Sequence, residues 1–172
     1  MSYFPDLSDY TYRPKFHRPG TKTIGWLGAG HEFPKEEPTE EILDLLWSYC
    51  TISVAQTRGI HECEFCPRSD WYSVCRKGRR LLLGTSEIRV FSRTNEDIYA
   101  APTLIYHYID IHRYRPPDEF ISALRQGPQP PSQEYFRLLE HLQLTWERTS
   151  VPNDTDVGLI LPPGKTRMST PE

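Results

Sequence analysis

The segment HECEFC at residues 61–66 constrains this chain more than any other part of its sequence. Cys63 and Cys66 are separated by two residues, so a tight knuckle can direct both sulfurs to one point, as a tetrahedral Zn²⁺ requires. A redox pair of the same spacing stands at a helix N-terminus, where the dipole lowers a thiol pKa. Here we expect strand and turn structure, and Pro67 follows directly. The pattern therefore predicts a zinc-binding knuckle.

A knuckle supplies two ligands, and three histidines are candidates for the rest of the site. His107 and His112 have four residues between them, within the three-to-five spacing of a Cys₂His₂ site. On an ideal helix five positions turn through about 500°, so the two rings would point about 140° apart. Both can bind one ion only if the last helical turn is distorted. His61 is the alternative, because it shares one face of a strand with Cys63.

The number of protein ligands decides between two functions. Four ligands close the site, and this favours a structural zinc in a protein-interaction module. With three ligands, water would fill the fourth position, and Glu62 or Glu64 could act as general base in a zinc-dependent hydrolase or deaminase-like enzyme. The deaminase signature places its His-x-Glu well upstream of its Cys-x-x-Cys, unlike this segment. We therefore favour the structural site and keep the enzyme as the alternative. A third hypothesis, an acidic antitoxin-like or immunity partner, shares the binding prediction.

The order of predicted elements indicates one α+β domain. We expect a small antiparallel β-meander and three to four helices, with the zinc site between sheet and helix. The predicted strands cover residues 23–27, 58–62, 71–74, 80–83, 87–91 and 98–100. Four helices are predicted. The first is capped by Thr39 and ends near residues 49–51, and the second covers residues 104–112 and is capped by Thr103. The third starts with Pro117 and ends near residue 126, and the fourth covers residues 133–142 and is capped by Ser132.

Proline and aromatic residues divide the chain into three parts. Residues 1–20 combine prolines with tyrosines and phenylalanines, which predicts an extended aromatic arm laid over the domain. Residues 21–148 form the domain itself. Residues 149–172 are rich in proline and lack periodicity, so we expect a flexible tail, in which residues 157–161 could dock as a short strand.

Charge and hydropathy limit the classes of partner and the location that we expect for this protein. The chain has 20 basic and 23 acidic side chains, for a net charge of −3, which argues against a general nucleic-acid binder. No apolar run approaches the length of a membrane span, and the first residues do not form a secretion leader, so we expect a cytoplasmic protein. The basic turn at residues 76–80 is typical of a solvated hairpin tip. We expect a protein partner, bound through aromatic residues of the arm or of the Trp71–Tyr72 turn.

Six phrases run in order along the chain: YFPDLSDYTY at 3–12, GWL at 25–27, TRGIHECEFC at 57–66, EIRV at 87–90, YAAPTLIYHYI at 99–109 and YRPPDEFISAL at 114–124. Together they resemble a family of small uncharacterised bacterial proteins, a domain of unknown function, over about residues 3–126. The resemblance implies a compact bacterial cytoplasmic domain whose His-x-Cys-x-x-Cys and Tyr-His-Tyr segments belong together. It implies no activity.

Overall fold

A computed structural model of the chain describes residues 2–66 and 73–149. Its elements confirm the α+β class. The helices are α1 (Glu40–Cys50), α2 (Ile105–His112), α3 (Asp118–Gln126) and α4 (Gln133–His141). The strands are β1 (Thr21–Thr23), β2 (Ile52–Val54), β3 (Ser73–Arg76), β4 (Arg79–Leu82), β5 (Glu87–Phe91), β6 (Ile98–Pro102) and β7 (Trp146–Arg148).

The strands form two sheets instead of the single meander predicted for residues 58–102. Five strands form a mixed sheet in the order β1-β6-β5-β2-β7, in which β1 runs parallel to β6 and the other pairs are antiparallel. β3 and β4 form a separate antiparallel hairpin. Residues 58–62 are not a strand, because this segment makes only separate backbone hydrogen bonds, from His61 to Gly84 and from neighbouring Thr57 to Thr85.

Two of the predicted helix caps are confirmed. The side chain of Thr39 accepts a hydrogen bond from the backbone N–H of Ile42, and Ser132 accepts one from Tyr135. Pro117 stands one position before α3, at its N-cap. The side chains of Thr39 and Ser132 thus satisfy backbone donors that a helix leaves unpaired at its first turn.

The cap predicted at Thr103 is wrong. α2 begins at Ile105 after Leu104, and no side chain caps it. The buried hydroxyl of Thr103 instead donates to the carbonyl of Ser86 and accepts from the N–H of Gly84. Because both bonds reach the loop between β4 and β5, Thr103 ties the start of α2 to that loop.

The first residues of the chain extend the sheet beyond β1. Backbone hydrogen bonds join Leu7 and Ser8 to Thr23, and Tyr10 to Thr21. The buried hydroxyl of Tyr10 then donates to both carboxylate oxygens of Glu87, at 2.9 and 3.0 Å.

Glu87 is itself part of a buried ion pair. Glu87 and Arg89 lie on one face of β5, and the guanidinium of Arg89 is 2.6 Å from the carboxylate. The same guanidinium lies 4.9 Å from the centre of the Tyr10 ring. The first residues of the chain therefore cover a charged pair that has no access to solvent.

The helices pack mainly on the centre of the sheet. α1 and α3 lie against β5, and α1 also contacts α2. None of the helices in the described part of the chain is long and apolar enough to cross a membrane. Residues 150–172, which include the strand proposed at 157–161, lie outside the described residues, as do Trp71 and Tyr72.

Replacing Tyr10 by Phe should lower the free energy of unfolding by about 1–3 kcal/mol, because the buried Glu87 carboxylate would lose a donor. Urea denaturation measures this change. Tyr3→Phe is the control, since Tyr3 is exposed and its ring stacks on His31 at 3.5 Å between centroids. It should change stability by less than about 0.5 kcal/mol. Equal effects of the two substitutions would contradict the role given to the buried hydroxyl.

Candidate metal centre

Four side chains from two segments far apart in the sequence converge at one point, between the loop at residues 61–66 and the end of α2. They are Cys63, Cys66, His107 and His112, and their donor atoms all lie within 4.8 Å of one another. The Nε2 atom of His112 is 3.2 Å from the Cys63 sulfur and 3.4 Å from the Cys66 sulfur. The Nε2 atom of His107 is 3.4 Å from the Cys66 sulfur and 3.2 Å from Nε2 of His112.

These separations match the edges of a small coordination tetrahedron. A tetrahedral Zn²⁺ with Zn–S bonds of about 2.3 Å and Zn–N bonds of about 2.0–2.1 Å has donor-to-donor distances of about 3.3–3.8 Å. The four distances, 3.2 to 3.4 Å, lie at or just below the short end of that range. The cluster has the donors and the dimensions of a Cys₂His₂ site.

A widened last turn of α2 brings the two histidines together. The N–H of Arg113 bonds to the carbonyl of Tyr108, five residues back, instead of the four of a regular α-helix. Arg113 has a positive φ of 57°, and the N–H of Tyr114 also bonds to the Tyr108 carbonyl. Because this turn takes in an extra residue, residues 107 and 112 face the same side. The last turn of α2 therefore has the distortion that His107 and His112 need in order to bind one ion.

The knuckle itself is held by its two intervening residues. The N–H of Phe65 points to the Cys63 sulfur at 3.4 Å, and its ring lies 5.4 Å from that of His112 and 5.3 Å from that of Phe33. The carboxylate of Glu64 points elsewhere, and it accepts a hydrogen bond from the N–H of Ala29. Phe65 thus covers the cluster, which the sequence pattern of ligands alone does not reveal.

The other predicted candidates lie apart from the cluster. The Nε2 atom of His61 is 3.1 Å from the hydroxyl of Tyr12, and His61 is not one of the four clustered residues. Glu62 and Glu64 are exposed, and neither belongs to the cluster. Among the described residues, the cluster therefore contains two thiols, two imidazoles and no carboxylate.

Gly84 joins the two halves of the site. Its carbonyl accepts from the N–H of His61, two residues before the knuckle, and its N–H donates to Thr103, two residues before α2. Gly84 has φ of +84°, and a Cβ at this position would collide with the His61 carbonyl. Only glycine fits this contact without strain. The sequence marks Gly84 as a turn residue but gives no sign of this coupling.

Burial sets the protonation of the free ligands. Burial, assisted by the nearby His112, lowers the pKa of His107 to about 4. Burial and then the charge of Lys35 also lower the pKa of His112. Burial raises the pKa of the Cys63 thiol to about 11, although the N–H of Phe65 opposes this. The imidazoles are therefore neutral and able to bind a metal, whereas the Cys63 thiol must release a proton when it does so.

The donor set decides which metals fit. Two thiolates and two neutral imidazoles in a tetrahedron are the ligands and the geometry that Zn²⁺ prefers, whereas Mg²⁺ and Ca²⁺ require oxygen. Cys63 and His107 are buried, and Cys66 and His112 are partly exposed. These four residues could hold the ion without any further ligand.

The fold and the cluster together define a small α+β domain with a candidate Cys₂His₂ metal centre. The chain belongs to the family described as domain of unknown function DUF7919, whose model matches residues 2–125. The resemblance seen in the sequence is thus confirmed, and all four clustered residues lie within the matched part. No curated protein and no solved structure matched the chain.

Replacing His112 by Ala should weaken Zn²⁺ binding by more than the 10–100-fold that loss of an outer partner of a metal ligand typically costs, because a direct ligand is lost. His61→Ala is the matched control and should leave the affinity unchanged. Competition with a chromophoric chelator measures both. Loss of metal in the His61 variant, with the His112 variant unaffected, would show that the structure selects the wrong histidine.

Replacing Gly84 by Ala should destabilise the domain more than Gly78→Ala. Both glycines have a positive φ, so each change costs about 1–2 kcal/mol of backbone strain. A Cβ at Gly78 meets nothing within 4 Å, whereas one at Gly84 must displace the His61 backbone, which adds about 1–3 kcal/mol. Urea denaturation compares the two variants. Equal losses of stability would refute the tight contact at Gly84.

Proposed function

We propose that this chain is a small zinc-binding domain in which the metal is structural and joins residues 63–66 to α2. The observation that carries the proposal is the closed set of four donor atoms, all within 4.8 Å of one another. Four protein ligands complete a tetrahedral zinc and leave no position for water or substrate. Two thiolates also neutralise the ion and weaken it as a Lewis acid.

The energetic role of the metal follows from where its ligands stand in the sequence. Cys66 and His107 are 41 residues apart, and a preformed site of this kind does not exist in an unfolded chain. The free energy of metal binding is therefore also free energy of folding. Zinc bound here stabilises the end of α2 against the knuckle, in a domain of modest size.

The role that such a domain supports is binding of another protein. A closed metal site provides no catalytic position, and the two carboxylates considered as general bases are exposed outside the cluster. In structural zinc domains the metal stabilises the fold, and the surface of the domain commonly provides the binding function. Zinc-dependent hydrolysis or deamination through Glu62 or Glu64 would need a fourth position open to water, and no observed contact favours it.

Protein purified without chelator should contain about one zinc per chain by elemental analysis, because the four ligands form one complete site. Removing the metal with a strong chelator should lower the free energy of unfolding by several kcal/mol, since binding and folding are coupled. Thermal denaturation with and without added Zn²⁺ measures this. A metal-free protein with unchanged stability would contradict the proposal.

The double variant Glu62→Gln/Glu64→Gln separates the structural from the catalytic function. It should keep its zinc and its stability, because neither carboxylate is one of the four clustered donors. A variant that keeps the metal and the fold but loses the biological activity of the protein would favour the enzyme instead.

A further inference from the structure

The described surface of the domain exposes few large hydrophobic side chains to a partner. Only two large hydrophobic side chains are exposed in the described ranges, Tyr3 at 38% and Ile111 at 57%. Several aromatic residues of the N-terminal arm are used internally. The rings of Phe4 and Tyr12 pack on Trp26, and Tyr10 is buried.

The structure instead presents a slot between two strand edges. The lining of a cleft of about 310 Å³ includes Arg79 and Leu81 of β4, Arg148 of β7 and Trp47 of α1. A second cleft of about 190 Å³ lies between Leu82 of β4 and Glu147 and Arg148 of β7. Within the described residues, β4 pairs only with β3, and β7 pairs only with β2. Both strands therefore have backbone groups available along one edge.

The larger cleft is positively charged although the chain has a net negative charge. Lys77, Arg79 and Arg148 line it. Lys77 has Asp44 at 3.1 Å, but neither arginine has an ion-pair partner among the described residues. Arg148 also lies 6.0 Å from the centre of the Phe136 ring.

The hairpin that forms one wall is held in position by ion pairs to α1. Arg76, the first residue of the basic turn, contacts the carboxylates of Glu40 and Asp44. The cations at Lys77 and Arg79 are therefore presented on an anchored hairpin. Because the hairpin is already held in position, it loses less conformational entropy on ligand binding than a free loop does.

We propose that this slot, defined by β4, β7 and the cations Lys77, Arg79 and Arg148, binds an extended segment of a partner protein that carries carboxylates on alternate residues. Such a segment would form backbone hydrogen bonds with the free edge of β7, as peptides do when they add to a sheet. Alternate side chains of a strand face one side, so its carboxylates would meet Arg79 and Arg148 together. The inference rests on the proposed role as a protein-binding domain.

The test uses a fluorescein-labelled peptide of alternating Glu and Val, with a Lys and Val peptide as the negative probe, on the full zinc-loaded chain. We expect saturable binding of the acidic peptide by fluorescence anisotropy. Arg79→Glu/Arg148→Glu should weaken it by about 10-fold or more, because both charge contacts become repulsive. Arg93→Glu, at an exposed position in the β5–β6 turn, should leave binding unchanged. N-methylation of alternate peptide amides should also abolish binding if strand pairing contributes.

Three results would overturn the proposal. They are no binding of the acidic peptide at low salt, equal weakening by the Arg93 control, and full binding of the N-methylated peptide. A carbodiimide cross-link from Lys77 to Asp154 or Asp156 of the same chain would assign the slot to the chain itself. Zinc is measured in every preparation. Failure to bind peptide with the metal present counts against the slot alone, whereas a metal-free folded chain counts against the proposed function.

Discussion

Convergence of two thiols and two imidazoles on one point is the interaction on which the rest of this structure depends. The donors come from a short loop and from a helix 41 residues further along the chain. Without an ion, these groups would crowd together with little mutual attraction. With Zn²⁺, the same groups gain coordination bonds, and the loop at residues 61–66 is fixed against α2.

The site is continuous with the main sheet and with the first residues of the chain. Gly84 and Thr103 link the knuckle, the β4–β5 loop and the start of α2 through buried hydrogen bonds. Tyr12 contacts His61 just before the knuckle, and Tyr10 reaches the carboxylate of Glu87 in β5. We therefore expect the loss of either contact to affect the candidate metal centre, although none of these residues belongs to the cluster of four.

The sequence singles out three of the four clustered residues, Cys63, Cys66 and His107, because Cys-x-x-Cys geometry is local. It does not decide whether His61 or His112 completes the cluster. An ideal helix would point residues 107 and 112 apart, and no sequence signal predicts the widened turn that ends at Arg113. Capping by Thr39 is local and was predictable. The sheet order was not, because pairing of β1 with β6 depends on contacts far apart in sequence.

The central claim is that four protein side chains bind one metal ion and close its coordination sphere. Zinc K-edge X-ray absorption on the purified full chain tests it most directly. We expect two sulfur neighbours at about 2.3 Å and two nitrogen neighbours at about 2.0–2.1 Å. A fit that requires a water or carboxylate oxygen in place of a histidine, or a single sulfur, would contradict the account.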